Sequence, residues 1–487
     1  MKKGIGLLLT IVVLVFTTTQ CSKDYLNLEP KSELSASEAY QTATDAESAL
    51  VGVYSCLADG HQNWLRMCLV DNFDDNVYAG GDDPSLFRIR AFQLSASNDD
   101  YIIDFWSACY VMINRANVVL KYVPLIEDSK LDVKVDGENT RRDQILGEAT
   151  YLRAMKYFDL VRMFSGVPMP LVPTESTDLE SINLARTDAA GVYAQIIKDL
   201  EYCVSVLPDS YSDETQTRGR ATKGAANAML AQIYATQKPA DWTKVKKYCD
   251  AVISNTKVYS LLTSFADLFD GSHYNNTESI IEIQFQAPNV TAWQYHLLLP
   301  TSITGDNWRK FMTPTLDLVG TMRAEGDSIR LHSSIIFEVS DWTDEYWGSN
   351  VPFVYKWKHD NGWASEDHWY IQRLSETILL RAEAETQLGD IPAALADLKT
   401  IRDRVELPDK TAELSGKSAD DVENAILQER RVELAFEGFR WMDLKRTGKA
   451  VSTLTKLGYT LDEHLLLLPI PLTERNVNPN LTQNPGY

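Results

Sequence analysis

Two helical hairpins in the later part of this chain constrain its fold more than anything else. The clearer one runs Ile378–Leu388, turns at Gly389–Asp390 and returns as Pro392–Val405, reading LLRAEAETQLGDIPAALADL. It has the form of a tetratricopeptide repeat: a small residue midway along the first helix, Leu-Gly-Asp at the turn, and alanines opening the second helix. The other is ATKGAANAMLAQIYAT, Ala221–Thr236, followed after Pro239 by Trp242–Ile253. Its alanines allow a partner helix to approach closely. Such hairpins stack into scaffolds.

Helical spacing also marks Gln144–Phe164, where Ile145, Ala149, Leu152, Met155, Phe158 and Val161 share a face until Gly166, Pro168 and Pro170 end it. Tyr193–Leu207 is a further amphipathic helix, and Asp209–Arg220 reads as a polar loop. From about Ser260 to Tyr370 the helical period fades. Short β-like runs, Ser279–Phe285 and Phe353–Trp357, sit among turn-formers there, with seven of the chain's 11 tryptophans. The expectation is a mostly α-helical protein with a loop-rich insertion that carries short β-strands. Loops held by a rigid frame are where binding sites concentrate.

The N-terminus reads as an export signal. Lys2 and Lys3 precede an apolar stretch, Gly4–Phe16, too short to span a membrane convincingly, and small polar residues lead to Cys21. A cysteine at that exit is similar to a bacterial lipoprotein site, although Gln20 replaces the usual small residue before it. Cleavage would remove Lys2 and Lys3 and take the net charge from −21 to −23. So acidic a chain repels nucleic acid and anionic lipid, leaving neutral or cationic partners and membrane contact through the anchor only.

Cys56, Cys68, Cys109, Cys203 and Cys249 show no zinc or redox spacing. The last three fall in apolar helical patterns and read as buried thiols. A Cys56–Cys68 bridge has nothing in particular to support it.

Several segments resemble the SusD/RagB outer-membrane lipoproteins of Bacteroidetes: CSKDYLNLEPKSELS after the signal, YLRAMKYFDLVRMFSGVPMPL, the Ile378–Val405 hairpin, ILQERRVELAFEGFRWMDLKRTGK, and the tail LLPIPLTERNVNPNLTQNPGY. They occur in the family's order from Cys21 to Tyr487. The resemblance implies a SusD-like fold. It gives a signal peptide over 1–20 and one domain over 21–487, with helical scaffold at 36–260 and 371–450 and the insertion at 261–370. It implies an acylated Cys21, with Asp24 similar to the signal for the outer face of the outer membrane. It also implies oligosaccharide capture for a SusC-like, TonB-dependent transporter, without catalysis. The scaffold side would meet that transporter. RagB-type relatives imply peptide cargo as the alternative.

Sugars offer flat C–H faces to aromatic rings and hydroxyls to polar side chains. Two groupings suit this. The first holds Trp64, Asp71, Asn72, Asp74, Asp75, Asn76, Tyr78 and Arg88. The second holds Trp293, Gln294, Tyr295, Asp306, Asn307, Trp308 and Arg309, with Trp342 and Trp347 nearby. Trp106, Trp357 and Trp441 read as core. The DNFDDN run, Asp71–Asn76, has oxygens for calcium but lacks EF-hand spacing and glycine, so a solvated loop is the commoner reading. No cofactor is expected. HExxH, GxSxG and phosphate-cradling glycine motifs are absent, and the carboxylate pair of a glycoside hydrolase is the one enzymatic reading left.

Overall fold

The computed structural model describes residues 39–487, apart from 98, 136, 176–177 and 343–345. Cys21, its leader and the CSKDYLNLEPKSELS stretch therefore lie outside the described residues.

The helical period is realised closely. Ten helices build the scaffold: α1 (Ala43–Tyr54), α2 (Gly60–Leu69), α3 (Asp100–Tyr122), α4 (Arg141–Phe164), α5 (Ala189–Val206), α6 (Lys223–Thr236), α7 (Trp242–Ile253), α8 (Leu374–Gln387), α9 (Ile391–Arg404) and α10 (Ala419–Glu433). Side-chain caps fix several starts. Thr140 and Asp143 form a reciprocal capping box at α4, and Asp390 accepts from the Ala393 N–H at α9, which has proline in its first turn. Helices α3, α4, α5, α6, α7, α8 and α9 pack in succession, each against the next, and α6 also touches α8. The alanine-rich α6 is buried on nearly every side. Asp209–Arg220 is not wholly loop: Glu214–Gly219 forms a short helix capped by Asp213.

Strands are few and short: β1 (Val77–Ala79), β2 (Ser279–Ile283), β3 (Met312–Pro314), β4 (Ile335–Val339), β5 (Asn350–Val354) and β6 (Trp369–Arg373). They form three antiparallel pairs, β1–β3, β2–β6 and β4–β5. The β1–β3 pair matches Tyr78 with Thr313, so it ties the chain just after α2 to the tryptophan-rich region.

The ERRVELAFEGFRWMDLKR segment explains itself as buried charge. Arg430 meets Asp443 at 2.9 Å and Glu376 at 3.1 Å, while Arg373 holds Glu433 at 2.6 Å and Glu437 at 2.8 Å. Burial pushes the Glu433 carboxyl up, but Arg404, Arg373 and Arg330 outweigh it and hold the group well below its ordinary range. Removing one partner of such a pair leaves an uncompensated buried charge, at a cost of about 3–5 kcal/mol.

The same network overturns one candidate group. Asp71, Asn72, Asp74, Asp75 and Asn76 are all buried, so none is open to a ligand. Arg440 reaches both oxygens of Asp75 at 2.7 and 2.9 Å, and Arg431 donates to Asn76 Oδ1 at 2.8 Å. Asp71 accepts from the Gly438 N–H, and Asp74 from the Asn76 N–H. The run is neither a solvated loop nor a calcium loop. Its polarity stitches the end of α2 to the end of α10 and the segment after it, where Arg431 and Arg440 supply the positive charge.

Trp106, Trp357 and Trp441 are buried, as their patterns indicate. Cys56 and Cys68 are separate buried thiols, as are Cys109, Cys203 and Cys249.

Candidate glycan-binding face

The two aromatic groupings form one structure. Trp293 and Trp64 lie with ring centroids 6.4 Å apart, Trp64 meets Phe311 edge-on at 5.9 Å, Phe311 meets Trp308 at 5.6 Å, and Trp308 runs nearly parallel to Trp363 at 6.4 Å and 21°. This row climbs from core to surface. Trp64 is buried on α2, Trp293 and Trp308 are half-buried, and Trp363 is 44% exposed. Gly60 opens α2 where Trp293 crosses it: a Cβ there would lie 2.5 Å from the indole nitrogen.

Trp363 occupies an unusual position. The Asp360–Ser365 pairing closes a tight hairpin whose central residues, Gly362 and Trp363, have φ of +62° and +69°. Two positive φ values are the requirement of a type I′ turn, which favours Asn and Gly. A bulky side chain held there costs about 1–3 kcal/mol and persists where its surroundings over-determine it. Those surroundings are the His296 ring, stacked on the indole at 3.9 Å and 19°.

His296 is itself buried and fixed at both nitrogens. Its Nδ1 lies 2.9 Å from buried Asp360, and its Nε2 lies 2.6 Å from Asp306. The His296 hydrogen bond, with help from the Trp308 indole, holds the Asp306 carboxyl below its ordinary range. Lys310 lies under Trp308 with Nζ 3.8 Å from the ring centre and hydrogen-bonds Thr304. Burial brings its ammonium down to about 8 against the pull of Asp306, Asp360 and Glu338. Around the rings, exposed Asn307 donates to exposed Asp341 at 3.2 Å, and Asp306 keeps 41% of its side chain open. The result is a flat indole surface rimmed by amide and carboxylate groups, suited to a sugar's C–H face and its hydroxyls.

Several sequence candidates fall away from this face. Tyr295 is fully buried, stacked on Trp357 at 5.0 Å, and its neighbour Gln294 is buried too. Trp347 is buried edge-on to Tyr78, and half-buried Trp342 packs on Phe353 in a separate cluster at the β4–β5 hairpin. Their turn-like, polar surroundings in sequence conceal that hairpin's own small core. Tyr78 stacks on Tyr346 at 4.2 Å, Arg88 bonds Ser85, and Arg309 lies over Phe87. Trp293, Trp308 and Asn307 remain on the face. Trp363 and His296 were not singled out by sequence. The Asn-Gly pair before Trp363, a hairpin signal, was the available clue.

A helical-hairpin scaffold presenting an aromatic face defines a binding protein of known architecture. A solved laminarin-binding SusD-like protein is similar at a TM-score of 0.76 and 26% identity, over 92% of this chain and 100% of that one. A SusD superfamily protein from Bacteroides vulgatus is similar in fold at a TM-score of 0.77 and 22% identity, over 91% and 99%. Among sequence relatives, SusD-like protein P25 of Formosa agariphila is 26% identical over 99% of both chains. A SusD-like protein of Bacteroides ovatus is 23% identical over 90% of this chain and 81% of that one. Two family profiles match: "SusD family" over residues 337–487 and "Starch-binding associating with outer membrane" over residues 24–235. The chain belongs to the SusD-like family.

Proposed function

We propose that this protein captures an oligosaccharide on the Trp308–Trp363 face and passes it to a SusC-like, TonB-dependent transporter. The observation that carries the reading is Trp363, an exposed indole held in a strained turn by a buried, doubly bonded histidine. Each aromatic platform adds about 0.5–1.5 kcal/mol beyond area burial, on the scale of aromatic pairs. A few platforms give modest affinity, as suits a receptor that releases its cargo. The laminarin-binding relative and the starch-binding profile support a neutral glucan as the first ligand to try.

The reading is capture without cleavage. A glycosidase acid needs a raised carboxyl pKa. Next to the platform, Asp306 is held low by His296, and Asp360 is buried against the same ring. The description of the matched profile supports association with the outer membrane; anchoring at Cys21 and an outward-facing position are part of the same proposal.

Peptide cargo is the second reading, favoured by one observation. A groove of about 850 Å³ runs between the extended Pro168–Glu175 strap and the 474–481 segment, with Leu171 and Val172 exposed along it. Native affinity electrophoresis across a polysaccharide panel separates the two. Retardation by a glucan, with its chain length unchanged afterwards, supports capture; no retardation by any polymer transfers the reading to peptide.

A further inference from the structure

Helices α2, α3 and α4 and the β2–β6 pair enclose a small space of about 20 Å³, room for one water-sized occupant. Gln62, Asn63 and Arg66 line it from α2, and Lys156 from α4, against apolar Trp369 and Ile371. Its charges do not balance. The Arg66 guanidinium makes no hydrogen bond, ion pair or ring contact among the described residues. The Lys156 ammonium, on a side chain 11% exposed, has one ion-pair partner among them, Asp159 at 3.6 Å.

Asp159 is already taken. One of its oxygens accepts from Arg162 at 2.6 Å, while Asp159 Oδ2 and Gln62 Oε1 have no hydrogen-bond partner among the described residues. Three cations thus surround Asp159, and the other carboxyl that feels Arg66, buried Asp71, is raised to about 7 and carries only part of a charge near neutral pH. Burial works against the charge of Asp159, yet Arg66, Lys156 and Arg162 together hold the Asp159 carboxyl below its ordinary value. Nearby Lys445, whose Nζ donates to the Arg162 carbonyl at 2.6 Å, is pushed down to about 7 by burial and by the charges of Arg162 and Lys238.

Buried charge without a counter-charge is costly, and orphaned buried polar groups mark an occupant such as a water or an ion. Water would satisfy hydrogen bonds and leave the excess charge in place. We infer that this space holds one small inorganic anion, of the size and charge of chloride, between the Arg66 guanidinium and the Lys156 ammonium. Gln62 then presents its amide N–H₂ rather than its oxygen, a choice of amide orientation that the surrounding hydrogen bonds decide. The anion clamps α2, which carries Trp64, to α4, and the inference is independent of the glycan reading.

Bromide is the probe. Crystals of the protein grown in sodium bromide should show a single anomalous peak contacting Arg66 and Lys156. In solution, Tm should be higher in sodium chloride or bromide than in sodium gluconate at equal ionic strength, by roughly 1 °C per tenfold rise in halide. Arg66→Met should abolish that halide dependence, whatever it does to Tm itself. If that variant fails to fold, Lys156→Met and the bromide map of the unaltered protein decide. A water with no anomalous signal in the space, or equal melting in gluconate and halide, overturns the inference.

Discussion

The imidazole of His296 lies flat against the indole of Trp363, ring centres 3.9 Å apart, while Asp360 and Asp306 grip its two nitrogens. One contact thus joins the buried His296–Asp360 pair, and Asp306 beyond it, to the most exposed tryptophan among the described residues. It turns a strained hairpin tip into a fixed platform.

Replacing His296 by alanine should therefore do two things. Asp360 would be left buried without its partner, costing about 3–5 kcal/mol of stability, read by chemical denaturation. Glycan binding should weaken in the same variant, because Trp363 loses the surface that holds it. Unchanged stability would mean that the triad carries little energy.

Trp64 tests the core end of the aromatic row. It is 4% exposed and touches Trp293 and Phe311, so Trp64→Ala should cost about 3–5 kcal/mol. A Tm close to that of the unaltered protein would place Trp64 outside the core.

Asp71 gives a pH signature. Burial raises its carboxyl from 3.8 to about 7, against the pull of the Gly438 N–H and Arg66. Between those values the folded state holds a proton that the unfolded state has lost. This group's contribution to stability therefore falls as pH rises from about 4 to about 7, by at most about 1.4 kcal/mol per pH unit. Asp71→Asn keeps an acceptor for Gly438 and removes the titration. The variant should match the unaltered protein near pH 4 and exceed its stability at pH 8. A constant difference across that range would contradict the assignment.

Cys21→Ala should move the protein from the membrane fraction to the soluble fraction with its Tm unchanged. Continued sedimentation with membranes would refute anchoring through that cysteine.

The fold was legible wherever a single helical period ran long enough. Trp242–Ile253 is helical over the span its pattern indicates, and the tetratricopeptide-like hairpin is off by a few residues at its ends, where capping rather than periodicity sets the boundary. The binding face was less legible, for a physical reason. Asp71–Asn76 looks like a solvated string because sequence does not show the arginines more than 350 residues away that bury it. Trp347 and Tyr295 look like loop aromatics because their packing partners, Tyr78 and Trp357, lie 269 and 62 positions away in the chain. Trp308 and Trp293 were found through their polar neighbours. Trp363 was missed because its exposure depends on a two-residue turn and on a histidine 67 positions earlier.

The most direct test of the account is isothermal titration of laminarin, or of whichever polysaccharide retards the protein, into the unaltered chain and into Trp363→Ala. The account predicts a Kd at least about 2- to 10-fold weaker in the variant, the platform's share of binding, with little change in Tm. An unchanged Kd would contradict it, and the Trp308–Trp363 face would no longer be the site of capture.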